Sequence, residues 1–364
     1  MFSPAVLKKL NHTIKNYEDR FMPSKSHTRP IHMFVDVTSR CNIDCFMCWR
    51  QYAQDTTIGD MSLDTFKKVV PLMDYMDSVV LQGSGEPFFN REFIPMLRLA
   101  GEHTSGIRFA TNGTMMTEAN AEELVKNRVH TVMISLDAAK QETYEKIRRG
   151  SKWEHVIRNL EKLINVKERM NSPYPEITFE YVLMRTNVEE LDEFVRLAHK
   201  YKVKYVGIRH VWIFGESVKN ETMFLYPELM QAKFTEAAQL GQELGVTVDL
   251  PSLTTIKFAE DYVIDQLNDP ALSSLAQSVF TVPGPGKVCY DPWRNYWVTW
   301  EGNVRPCCQT DRIMGNVNDA SFLDIWNGPA YRLFREKLSS GDYPKECLGC
   351  RNLKNPKEYE SIFK

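Results

Sequence analysis

No stretch of this chain is apolar enough to cross a bilayer: the roughly 18–20 consecutive apolar residues of a spanning helix do not occur among its 364 residues. The opening residues, MFSPAVLKKLNHTIKNYEDRF, give only a short apolar patch before Lys8 and Lys9, without the apolar core of a signal peptide. Charge of one sign is missing too. A formal net charge of −2 gives no electrostatic reason to expect nucleic acid or an anionic membrane as partner. Low-complexity segments are absent, as is any repeat beyond a strand–helix alternation. Cysteine is scarce, with eight in the chain. The expected location is the cytoplasm, where thiols stay reduced, so these eight read as ligands or catalytic groups and not as a disulfide framework.

What is present is ample apolar material, 43% of residues, enough for a large core. The length fits two domains, or one large α/β domain with an appendage. Six short runs rich in Val, Ile, Phe and Tyr read as buried strands: IHMFVDV, SVVLQ, IRFAT, HTVMISLD, EITFEYVLM and VKYVGIRHVW. Between them, SLDTFKKVVPLMDYM, TEANAEELVKNR and NVEELDEFVRLAHKY carry apolar residues three and four apart, with Ser62, Thr117 and Asn187 as expected N-caps. Six βα units imply an α/β fold with a parallel sheet, an open partial (β/α)6 barrel, whose chemistry lies on the loops after the strands. The expected organisation is an N-terminal extension over 1–30, the partial barrel over 31–235, a linker region over 236–288 and a cysteine-bearing domain over 289–364. The proline and glycine of TVPGPGK mark the last boundary.

The cysteines fall into two sets. Cys41, Cys45 and Cys48 crowd into TSRCNIDCFMCWRQ after the first strand; Cys289, Cys307, Cys308, Cys347 and Cys350 come much later. Thiolates bind soft metals and iron–sulfur clusters. Three thiolates on a four-iron cluster leave one iron open, and an open position is where a catalytic metal meets its substrate. The loops GSGEP, TNGT and SLDAAKQ follow the second, third and fourth strands, so all four loops are expected at one rim.

The C-x3-C-x2-C loop after strand one resembles the signature of radical S-adenosylmethionine (SAM) enzymes. That resemblance implies a [4Fe–4S] cluster on Cys41, Cys45 and Cys48, with SAM on the fourth iron, and reductive cleavage of SAM to a 5′-deoxyadenosyl radical that abstracts hydrogen from a substrate. Met47 takes the place of a hydrophobic residue near the adenine. Gly83, Ser84, Gly85 and Glu86 of GSGEP are similar to the family's GGEP motif, which contacts the methionyl amine. SLDAAKQETYEKIRRG is similar to the fourth-strand region, implying SAM contacts from Ser135 and Arg148, with Arg149 as rival; Asn112 of TNG is typical of the third-strand loop.

Cys289, Cys307, Cys347 and Cys350 supply the four thiolates that would close a second cluster completely. Their setting resembles a shortened SPASM, or twitch, domain, with a spacing close to that of 2-deoxy-scyllo-inosamine dehydrogenase; a structural zinc is the other use of four cysteines. The resemblance therefore implies two [4Fe–4S] clusters, one SAM-binding and one auxiliary, served by a reducing donor such as flavodoxin or ferredoxin. Cys308 is left over, as an alternative ligand, a buried small residue or a hydrogen-atom donor. The expected substrate is a small hydroxylated or amino-sugar-like molecule, oxidised with the auxiliary cluster as electron acceptor. Epimerisation and peptide modification are the alternatives within the family, and a non-enzymatic metal-binding or electron-transfer protein is the alternative outside it. Polar residues on strands five and six, Glu180, Arg185, Arg209 and His210, are the candidates to touch substrate. Arg209 and His210 are neighbours on a strand and point to opposite faces, so at most one faces the pocket.

Overall fold

The computed structural model describes residues 4–52, 57–251, 287–348, 350, 352 and 353. In chain order the elements are α1 (Pro4–Glu18), β1 (His32–Asp36), α2 (Leu63–Lys67), β2 (Ser78–Gln82), α3 (Phe93–His103) and β3 (Ile107–Thr111). Then follow α4 (Glu118–Lys126), β4 (Thr131–Ser135), α5 (Gln141–Ile147), α6 (Trp153–Arg169), β5 (Glu176–Leu183), α7 (Leu191–Lys200) and β6 (Tyr205–His210). The remainder includes α8 (Pro227–Leu244), β7 (Thr247–Asp249), β8 (Asn295–Val298), β9 (Asn303–Arg305), β10 (Gly315–Asn316), α9 (Phe322–Trp326) and α10 (Pro329–Ser340), besides one-turn helices at Glu216–Lys219 and Asp291–Arg294. All six expected strands are present.

Ser62 and Thr117 cap as expected, accepting from the backbone N–H of Thr65 and Asn120. Asn187 does not cap. Its amide instead donates to the carbonyls of Asp137 and Val182, at 2.8 and 2.9 Å, and accepts from Met184 N–H at 2.8 Å. The helix expected over SLDTFKKVVPLMDYM stops at Lys67 and resumes as a 3-10 turn, Val70–Tyr75, with Pro71 in its first positions. Proline has no N–H for a continuing α-helix to use.

Two compact bodies are distinguished, 4–40 with 58–108 and 287–353, and 41–57 with 109–251. In the first, β10, β9, β8, β1, β2 and the start of β3 are neighbours in that order. β8 runs parallel to β1 and β1 to β2, while β9 and β10 return antiparallel. In the second, the end of β3 is followed by β4, β5, β6 and β7, the last four all parallel. This is an open α/β partial barrel carried into a C-terminal segment. The helix α8 runs through the expected boundary at 235, and β7 adds a strand to the sheet within the region expected as linker. Most of that linker, residues 252–286, lies outside the described residues.

The N-terminal extension is stitched into the first body. Trp293 Nε1 donates to Pro23 O at 2.8 Å, Trp326 Nε1 to Thr28 O at 2.9 Å, and Arg294 Nε to Asp19 at 2.8 Å. Lys15, fully buried, donates to Trp293 O and reaches Glu18 at 3.4 Å. Arg335, also fully buried, lies over the rings of Trp326 and Tyr331, 4.2 and 4.8 Å from their centroids. No helix among the described residues is long and apolar enough to cross a membrane.

Candidate functional site

The cysteine loop belongs to the second body, where two backbone bonds pin it to the end of α5: Asp44 N–H donates to Arg149 O at 2.9 Å and Phe46 N–H to Ile147 O at 3.0 Å. Between them Ile43, Cys45 and Met47 are buried against Ile147, Met184, Val211 and Val218. Apolar residues alternating with the exposed Asn42 and Asp44 let one edge of the loop act as an anchor. Tyr52 OH closes it by donating to Phe46 O at 2.8 Å.

Polar groups then reach the sulfurs. Asn112 Nδ2 donates to Cys41 Sγ at 3.7 Å and to Asn42 Oδ1 at 3.0 Å, while its own Oδ1 accepts from Thr114 N–H at 2.9 Å. Arg148 Nη1 lies 3.8 Å from Cys45 Sγ, and its Nη2 pairs with Asp137 Oδ2 at 2.6 Å. Asp137 is fully buried and adopts a left-handed φ of 61°, a conformation that aspartate tolerates better than most residues. Its Oδ1 accepts from Val182 N–H at 2.7 Å. Arg149, the rival of Arg148, is exposed, with its guanidinium over the Phe46 ring at 5.4 Å. Arg148 is the arginine that reaches the cysteine loop.

This donor set suits an iron–sulfur cluster: three thiols on a fixed loop, with an amide N–H and a guanidinium at two of the sulfurs. Burial pushes the Cys45 thiol up to about 12 against the pull of Arg148, and raises Cys48 as well. The protons are therefore held until a metal displaces them.

The first body carries GSGEP and the second cysteine set. A Cβ on Gly83 would fall 2.1 Å from Thr38 O, and one on Gly85 would fall 1.9 Å from Arg40 O. Only glycine permits this contact with the residues just before Cys41. Glu86 N–H donates to Arg40 O at 2.8 Å and the Glu86 side chain is buried, whereas Ser84 is half-buried.

Cys289, Cys307, Cys347 and Cys350 line one hollow, walled by Phe334 and Leu338 of α10. Gln309 N–H points at Cys307 Sγ from 3.4 Å, and burial pushes Cys347 up to about 12. Cys308 is exposed, does not line the hollow, and accepts from Gln309 Nε2 at 3.0 Å. Four thiols on one hollow, whose lining also holds Asp291 and Glu346, supply the number that a fully ligated cluster takes.

Among the expected substrate residues, Glu180 and Arg209 lie together in the second body, with Ser135 opposite Glu180 in the β4–β5 register. His210 faces the other way and packs against Phe224 and Phe234, centroids 4.4 and 6.5 Å apart. Arg185 turns to the Tyr226 ring at 5.3 Å and is separate from the Glu180 group. Tyr205 and Asp249, bonded to each other at 2.6 Å and near Arg209, are additions that sequence reasoning misses. The short run VTVDL holds Asp249 in view, but nothing in it signals pairing with β6.

Residues 35–198 match the model of the Radical SAM superfamily, and residues 289–351 match that of SPASM, an iron–sulfur cluster-binding domain. These matches give the chain a radical SAM domain and a SPASM domain, which imply SAM and iron–sulfur clusters as cofactors. The tungsten-containing aldehyde ferredoxin oxidoreductase cofactor-modifying protein of Pyrococcus furiosus is 25% identical over 342 residues, 88% of this chain and 86% of that one. The PqqA peptide cyclase of Gluconobacter oxydans is 22% identical over 333 residues, 88% and 82%. In fold, the structure of native anSMEcpe with bound AdoMet is similar, with a TM-score of 0.60, 16% identity, and coverage of 89% of this chain and 88% of that one.

Proposed function

We propose that this chain is a maturase: a radical SAM enzyme that activates a C–H bond in a peptide, or in the precursor of a cofactor, by way of two [4Fe–4S] clusters. The observation that carries the reading is the cysteine loop with Asn112 at Cys41 and Arg148 at Cys45. Relatives named as a cofactor-modifying protein and a peptide cyclase match nearly the whole chain. They favour this substrate class over the small hydroxylated molecule expected from the sequence.

Cys41, Cys45 and Cys48 would hold the first cluster, and SAM bound there would supply hydrogen-abstraction chemistry when a donor such as flavodoxin or ferredoxin provides an electron. The protein's part is positional. The α5 backbone and the apolar anchor fix three thiolates, and Arg148 offsets negative charge at Cys45. Ser135 ends β4 and Glu86 stands on the loop after β2, the positions that the resemblance assigns to SAM contact. Cys289, Cys307, Cys347 and Cys350 hold the auxiliary cluster, which suits it to pass or accept an electron.

The test is anaerobic. Reconstituted protein with SAM and dithionite should give 5′-deoxyadenosine and methionine, and a C41A/C45A/C48A variant should give neither. Adding the low-mass fraction of a host extract should accelerate the reaction. Loss of that stimulation after protease treatment identifies a peptide, and its survival identifies a non-peptide precursor. No 5′-deoxyadenosine from iron-replete wild type overturns the reading.

A further inference from the structure

The parallel registers align one row of side chains across four strands of the second body. Ser135 stands opposite Glu180, Glu180 opposite Gly207, and Gly207 opposite Asp249. Tyr205 and Arg209 flank Gly207 two residues away, on its own face of the strand. The opposite face is taken by packing: Phe179 and Tyr181 lie against Phe194 of α7, and His210 against Phe224. The row is therefore on the side that the helices do not cover.

Its depth is fixed by Val182. That residue follows Glu180 on the same face and packs against the apolar cluster that holds Cys45, as Cys41 and Cys48 also do. Two residues of strand span about 7 Å, so Glu180 stands one side-chain layer below the cysteine loop, within reach of a substrate placed there.

We propose that Glu180, Tyr205, Arg209 and Asp249 form a subsite for a cationic group of the substrate, an ammonium or guanidinium, with Glu180 as its counter-ion; this rests on the reading given above. The charges are unevenly matched. Arg209 Nη1 donates to Asp249 Oδ2 at 2.9 Å, and Tyr205 OH donates to the same oxygen at 2.6 Å. That pairing offsets part of the positive charge of Arg209 and leaves two carboxyl groups, Glu180 and Asp249, to one arginine. Neither oxygen of Glu180 takes part in a hydrogen bond among the described residues. Burial pushes its carboxyl up to about 7, with Arg209 opposing and Asp249 reinforcing the shift, so a second cation is what the site lacks.

Gly207 makes the arrangement possible. A Cβ there would fall 2.5 and 2.8 Å from the two Glu180 oxygens, so the carboxylate lies in the space that any other side chain would fill. An anionic substrate would meet Glu180 and an arginine already paired with Asp249.

The test uses the full chain, anaerobically reconstituted, and saturation-transfer NMR. Agmatine and Nα-acetyl-lysine amide are the cationic probes, and glutarate is the anionic one. Wild type should bind both cations in preference to glutarate. E180Q should weaken the cations about thirtyfold, as expected for removing one member of a desolvated charge pair, and E154Q, an exposed control, should leave them unchanged. Glutarate binding in preference, no cation binding, or full cation affinity in E180Q would each overturn the proposal. 5′-Deoxyadenosine formation by the same wild-type preparation is scored separately. If it forms while the cations do not bind, the subsite falls and the enzyme class stands; if the cations bind and none forms, the reverse holds.

Discussion

Arg148 joins Cys45 to Asp137: one guanidinium nitrogen lies 3.8 Å from the sulfur and the other 2.6 Å from the carboxylate. All three residues are buried. Removing Arg148 alone would leave the Asp137 charge buried with the Val182 N–H but no counter-ion, a loss of about 3–5 kcal/mol. R148M should therefore be strongly destabilised in urea melts of the apoprotein. D137N/R148M should recover most of that loss, because the amide carbonyl that replaces the carboxylate can still accept from Val182 N–H. A double variant no more stable than R148M would show that Asp137 is not the group being compensated.

Cys308 and Cys347 predict opposite iron contents. C308S should keep the wild-type iron and labile sulfide, since its sulfur is exposed and outside the hollow. C347S should lose about four irons per chain. An equal loss in both variants would place Cys308 among the ligands.

The glycines of GSGEP differ from the serine between them. G85A would set a methyl 1.9 Å from a backbone oxygen that cannot step aside, and should cost about 1–3 kcal/mol or more, together with SAM affinity measured by equilibrium dialysis. S84A, at a half-buried position, should change stability by less than about 0.5 kcal/mol.

Glu180 gives stability a pH dependence with a definite sign. Its carboxyl titrates near 4.5 when free and at about 7 in the folded chain, so as pH rises through this window the unfolded chain releases its proton first and wild type loses stability. E180Q removes the loss. Its advantage over wild type in urea midpoints should grow from little at pH 5 to about 1–3 kcal/mol at pH 8. A constant difference across that range would mean that Glu180 does not titrate there.

The strands were legible because each is a short run of β-branched and aromatic residues bounded by breakers, and the same period of two placed Arg209 and His210 on opposite faces. The cysteine sets were legible from spacing. Elsewhere local signals misled. Asn187 follows a turn and precedes a helix, as a cap does, but the buried carbonyls of Asp137 and Val182 claim its amide. Asp249 sits on a strand of three residues, too short for its pattern to announce a place in the sheet. The attachment of residues 4–28 depends on Trp293, Arg294 and Trp326, and no local pattern encodes a partner so distant in the chain.

That attachment also has a consequence in time. Pro23 waits for Trp293, 270 residues further along, and at about 5–20 residues per second the ribosome delivers it some 15–55 s later. During that interval the strands of the second body emerge, while Lys15 and Asp19 still lack Trp293 and Arg294. Biogenesis thus docks α1 in two stages, Lys8 and His12 on Asp77 early and Lys15 and Asp19 on Trp293 and Arg294 late.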